Sequence, residues 1–182
     1  MATGYVDVPH GDYLTWKTNT LGQAYDLDGQ GCECWDYASL FWRNVGFSAG
    51  YPLTGSNHFA YECWTENKVV NAGNEFDLIE NLNEILTGDI IVLDGNITNP
   101  PGHITFANED YNGTQYLSCM GQNQGGEPDP SGGTAVTINT LYMGEFLGAF
   151  RYKGWHIPPI PRRKSTFPWV LYARKLRENN LM

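Results

Sequence analysis

The stretch Asp26 to Gly46, DLDGQGCECWDYASLFWRNVG, constrains this chain more than any other. It sets two spaced acidic residues, a glycine-rich turn and two cysteines directly before an aromatic run. From Trp35 the large apolar residues Trp35, Ala38, Leu40 or Phe41, Trp42 and Val45 recur at helical intervals, and Gly46 stands where helices commonly stop. The spacing predicts a helix of about three turns opening at Cys34. A cysteine at a helix start sits in the positive end of the helix dipole, which favours the thiolate that a nucleophile must be. Cys34 is therefore the candidate nucleophile, and Cys32 its rival. The alternative is that Cys34 is a small buried core residue.

Composition bounds the setting. A chain of 182 residues suits one domain with a core of its own. Aromatics at 14% and 21 glycines suggest a loop-rich globule with more strand than helix. No apolar run is long enough to span a bilayer, and the start MATGYVDVPHGDY lacks the pattern of a signal peptide. The expectation is a soluble protein without a signal peptide. The net charge of −9 is unevenly spread: residues 151–182 hold eight of the eleven basic residues and one acid, a net of +7, which leaves −16 on residues 1–150. The body would repel nucleic acid, while the tail would attract a polyanion or fold back as charge compensation.

The remaining segments read as follows. Tyr13 to Leu21 is weakly amphipathic, and His10 reads as exposed beside a turn. The Gly-, Asn- and aromatic-rich stretch from Phe47 to Asn74 walls a cleft or covers the core, the cover being favoured. Glu75 to Leu86 reads as a loop or short helix. Thr87-Gly88-Asp89 and IIVL then predict a turn and a short buried strand. After GNITNPPG comes the strand His103 to Ala107, with His103 at its start looking outward and sharing a face with Thr105 and Ala107. Asn112-Gly113 is a hairpin turn into the strand Gln115 to Met120, which runs into Gly121-Gln122-Asn123. Further strands are expected over Ala135 to Ile138 and Phe146 to Tyr152. The fold class is α+β, helices first and then an antiparallel sheet. His103 and Asn123 would meet at one sheet edge, where the Cys34 helix could join them.

Cysteine, histidine and asparagine together suit one mechanism. The histidine takes the thiol proton, giving a thiolate and imidazolium pair, and the asparagine carbonyl fixes the tautomer of the ring. The local sequences ECWDYASLFW, GDIIVLDG, PGHITFANEDY, MGQNQGG and LGAFRY, in that order over about residues 26–152, resemble the CHAP family, the cysteine- and histidine-dependent amidohydrolases and peptidases of phage lysins and bacterial wall hydrolases. The resemblance implies a papain-like fold, with N-terminal helices on a twisted antiparallel sheet. It also implies cleavage of an amide bond in peptidoglycan, as an endopeptidase or an N-acetylmuramoyl-L-alanine amidase, with Cys34, His103 and Asn123 as the catalytic residues. A phage-encoded lysin acting on the bacterial wall is the corresponding source and place of action. Two positions depart from the family pattern. Glu33 stands in the oxyanion region where many members have Gln, and Gly121 stands where lysins of this type often carry Glu. Alternatives that stay open are an NlpC/P60-type peptidase, whose third polar residue is usually histidine, and a non-catalytic wall-binding module on the same fold.

Asp26, Asp28, Gln30 and Gly31 match positions one, three, five and six of an EF-hand-like loop, with a backbone carbonyl expected from Cys32. The closing Glu is missing, since Tyr37 falls there, and Asp36 is the candidate replacement. Some CHAP lysins resemble this closely, binding calcium just before the cysteine, so a structural calcium site is expected. The alternative is that the two aspartates cap a turn and the helix start. Zinc held by Cys32, Cys34, His103 and Cys119 is a further reading, disfavoured by the absent CxxC spacing. Residues 1–152 are assigned to the catalytic domain and 153–182 to a basic, Pro-rich tail that would contact anionic wall polymers, with no role for His156.

Overall fold

The computed structural model describes residues 2–3, 6–125 and 132–155. The tail beyond Trp155, including His156, lies outside them. The expected helix forms as α2 (Cys34–Asn44), and the weakly amphipathic segment before it as α1 (Tyr13–Thr20), capped by Asp12 through a 2.7 Å hydrogen bond from Thr15 N. Between them a two-residue strand β2 (Tyr25–Asp26) pairs in parallel with β1 (Ala2–Thr3). The stretch from Phe47 onward does cover the core, through the short helices α3 (Glu62–Thr65) and α4 (Lys68–Ala72).

Residues 76–152 build a six-stranded antiparallel sheet, so the α+β expectation holds. Its order is β3 (Phe76–Ile79), β8 (Phe146–Tyr152), β4 (Ile90–Leu93), β5 (His103–Ala107), β6 (Tyr116–Gly121) and β7 (Thr137–Tyr142). Strand β3 takes the first part of the segment Glu75 to Leu86 expected as a loop or short helix, and the rest of it is loop with a short 3-10 turn, Leu82–Glu84. FDLI is too short a stretch to read as a strand alone and is held by pairing with β8, Phe76 opposite Tyr152 through Ile79 opposite Ala149. In the central strand β4 all four residues are buried.

Both faces of the sheet are covered. On one, α1 and α2 deliver Trp16, Tyr37, Phe41 and Trp42 against Phe76, Phe106 and Phe150. Phe41 meets Phe106 edge to face at 5.3 Å, and Trp42 stacks on Phe76 at 4.5 Å. On the other face lies a smaller cluster of Ile79, Ile85, Ile91, Leu93, Ala107, Leu117 and Cys119. This second cover corrects the outward-looking His103: the whole of β5 is buried, and the histidine retains 8% of its exposure. Trp155 also packs on the body, donating through Nε1 to His10 O at 2.7 Å.

The ladder between β5 and β6 is short, pairing Phe106 with Met120 and Ala107 with Cys119. The two strands therefore fork toward His103. No helix among the described residues is long and apolar enough to cross a membrane.

The sheet is anchored by one buried ion pair. Arg151 on β8 binds Asp89 with two hydrogen bonds, 2.8 Å from Nε and 2.7 Å from a terminal nitrogen, and Asp89 also accepts from Leu86 N at 2.8 Å. The Asp89 side chain is fully buried, so Asp89→Ala leaves the Leu86 amide without its acceptor and the guanidinium with the Glu84 carbonyl in place of a carboxylate. A loss of about 3 kcal/mol is expected, measured by urea denaturation. Glu80→Ala, which breaks the exposed Lys68–Glu80 pair, should cost under about 0.5 kcal/mol.

Candidate active site

Cys34 is the first residue of α2, and Glu33 is its N-cap. The start of this helix is fixed from within: Asp36 accepts from Glu33 N at 3.0 Å through Oδ2 and from Leu27 N at 2.9 Å through Oδ1. It is fixed from the sheet by the fully buried Gln122, whose Nε2 donates to Tyr25 O (2.6 Å) and Glu33 O (3.2 Å) while its Oε1 accepts from Tyr25 N (3.0 Å). One carboxamide thus ties the end of β6 to both β2 and the residue before the cysteine.

The Cys34 sulfur lies against the backbone N–H of Ile104, the neighbour of His103. The start of α2 and the backbone of the first residues of β5 therefore lie side by side. Gly102 makes this possible, with φ +70; a Cβ there would fall 2.5 Å from Leu93 O. Only glycine lets β5 begin so close to β4, which sets the height of His103.

The third expected partner is placed differently. Asn123 adopts the left-handed conformation, φ +56, and is exposed. The residue bonded to His103 is Gln124, whose Oε1 lies 3.1 Å from Nε2 and 2.8 Å from Thr105 Oγ1. The left-handed turn at Asn123 presents its side chain to solvent and brings the next residue back over the fork. Asn123, Gln124 and His103 still share a hollow of about 210 Å³ with Leu93, Asn99 and Glu145. On the other flank, Glu33 and Trp35 line a larger hollow of about 590 Å³ with Asp28, Tyr51, Thr54 and His58. The segment after Phe47 is thus both cover and cleft wall. Gln122, Gln124 and Thr105 were not singled out by sequence reasoning; the Gln-Asn-Gln run was the available signal.

Electrostatically, burial dominates. It pushes the Cys34 thiol up to about 11; the Ile104 and Trp35 amides oppose this, and the charges of Glu33 and Asp36 add to it. Burial also holds the His103 imidazole below its ordinary value, against the hydrogen bond to Gln124. Both directions favour neutral thiol and neutral imidazole in the resting protein rather than a preformed ion pair. Glu33 is raised by burial and by Asp28 and Asp26.

Beside the cysteine, Asp26, Asp28 and Asp36 each offer a carboxylate oxygen within 4.8 Å of the others. Asp36 is raised to about 6, first by burial and then, after its hydrogen bonds, by Asp28 and Asp26. Gln30 is exposed, and the Cys32 carbonyl is turned toward Gly133, where a Cβ would lie 2.0 Å from it. Among the described residues these three aspartates are the one set close enough to share an ion. The cysteine and histidine set considered for zinc is not assembled, and Cys119 sits in the apolar cluster on the far face of the sheet.

The fold, helices packed on an antiparallel sheet, is shared with solved endolysin structures. The chain superposes on the wild-type endolysin LysIME-EF1 with a TM-score of 0.59, 20% identity, and coverage of 77% of this chain and 62% of that one. It superposes on Ly7917 with a TM-score of 0.50 and 21% identity, covering 73% and 58%. Ly7917 with the hydrolyzing product of MDP gives a TM-score of 0.51 at 20% identity over the same shares. At these identities the likeness is one of fold, and the chain spans about three-fifths of each neighbour. No protein-family model and no curated relative matches the chain.

The neutral resting pair has a kinetic signature. Because the Cys34 thiol is raised, its thiolate fraction, and with it the alkylation rate by iodoacetamide, should climb about tenfold per pH unit from pH 7 to 9. Mass spectrometry of the Cys34 peptide, with Cys34→Ala as blank, measures it. A plateau near neutral pH would instead reveal a preformed thiolate.

Proposed function

We propose that this chain is a thiol-dependent peptidoglycan hydrolase of the CHAP kind, cutting an amide bond in the bacterial wall as a phage-encoded lysin. The observation that carries the reading is the Cys34 sulfur at the start of α2, set against the Ile104 amide beside a histidine whose outer nitrogen is already bonded. The fold shared with LysIME-EF1 supports it. The amide partner of His103 favours this reading over an NlpC/P60-type peptidase, where a third histidine would be expected.

The mechanism follows from the neutral pair. As the scissile carbonyl seats over Cys34, His103 takes the thiol proton and the sulfur adds to the carbonyl carbon. The oxyanion is met by backbone N–H groups at the first turn of α2, which have no partner within the helix. The resulting imidazolium returns its proton to the leaving amine, the C–N bond breaks, and a thioester remains. Water, deprotonated by His103, then hydrolyses the thioester and restores the thiol. The two hollows flanking this point would receive the two sides of the cleaved chain, and the basic stretch after Trp155 is the candidate contact for anionic wall polymers.

Calcium belongs to the same proposal. The fit rests on three crowded carboxylates, one of them pushed up toward neutrality by burial and by the other two. A divalent ion would be held by Asp26, Asp28 and Asp36, with Gln30 and the Cys32 carbonyl contributing only if the loop turns. Its chemistry there would be structural, neutralising the loop that delivers Cys34.

Two measurements test this. Purified peptidoglycan of several chemotypes should release fragments with the wild type and none with Cys34→Ala, and mass spectrometry of the new termini names the bond. Millimolar calcium should raise the melting temperature, by an amount that corresponds to about 2.7 kcal/mol at one hundred times Kd. The shift should vanish in Asp28→Asn, whose exposed position leaves the apo fold intact.

A further inference from the structure

We infer that Gln124 is the positioning residue that fixes the tautomer of His103, leaving Nδ1 unprotonated as the base. The inference deepens the proposed function and uses only hydrogen-bond directions. Gln124 Nε2 donates to Cys119 O and Thr137 O, each at 2.9 Å, on strands β6 and β7. Rotating the amide by half a turn would aim its oxygen at those two carbonyls, so its orientation is determined. Oε1 therefore faces the fork, 3.1 Å from His103 Nε2 and 2.8 Å from Thr105 Oγ1. An amide oxygen only accepts, so Nε2 must carry the proton, and the lone pair is left on Nδ1.

The surroundings are built for this carboxamide. Its backbone is held by Asn139 Nδ2, which donates to Gln124 O at 2.6 Å. A Cβ at Gly121 would lie 2.6 Å from Gln124 Oε1 and 2.8 Å from Thr105 Oγ1. Glycine at 121, the departure from the family pattern, is thus the vacancy that the Gln124 side chain fills from three residues further along. A neutral amide orients the ring without adding a charge, in keeping with an imidazole held in its neutral form.

The test is a two-bond ¹H–¹⁵N correlation spectrum of the full chain at pH 7.5, with the His103 ring assigned by its loss in His103→Ala. In the wild type the protonated nitrogen should be Nε2; a wild-type ring protonated at Nδ1 overturns the inference outright. In Gln124→Leu the ring should become a mixture of tautomers, whereas Asn123→Ala should keep the wild-type pattern; the reverse assignment of the two variants also overturns it. Against peptidoglycan, Gln124→Leu should lose about 10²-fold in kcat with KM little changed. A wild type that releases no Cys34-dependent fragments would sink the proposed function, while the tautomer still decides the role of Gln124.

Discussion

The contact on which the rest depends is the aromatic face of α2 laid against β5. Tyr37 and Phe41 both meet Phe106, at 5.0 and 5.3 Å, and Trp16 closes over all three. Aromatic side chains bury about 150–250 Å² each, so this patch resists sliding or rotation of the helix. That rigidity is what a sulfur at the first residue of α2 requires, because its position is inherited from the whole helix. Phe106 is three residues from His103 on a strand buried along its length, so the same packing fixes the histidine.

Around that contact, charge is arranged against ease. Cys34 and His103 are both pushed toward neutrality, and the loop before them carries carboxylates that crowd one another. The apolar packing that makes the site rigid is also what strips its groups of water. On the proposed mechanism such a pair would transfer its proton when a substrate carbonyl gives the resulting charge somewhere to go, which would couple reactivity to occupancy of the cleft.

Legibility in the sequence followed the range of the forces. The helix at Cys34 was readable because its apolar spacing is local and strong, and IIVL and Phe146 to Tyr152 because buried strands write continuous apolar runs. Strand β3 was not, since FDLI owes its conformation to a partner about seventy residues away. Strand β7 runs over Thr137–Tyr142 rather than from Ala135, because its register comes from β6. Cys34 and His103 could be picked out from their places at element starts. Gln124 could not, since its role hinges on the left-handed backbone of Asn123, φ +56, and on two carbonyls from different strands.

The fork between β5 and β6 has a further meaning. A sheet that stayed zipped up to His103 would spend the backbone groups of its last residues on each other and leave no room between the strands. By parting early, the ladder turns a stretch of sheet into a socket, and one side chain takes over the joining that backbone pairing gave up. The seam there is thereby a replaceable part: its chemistry can be changed by exchanging a single residue, while the strands that hold it keep their path.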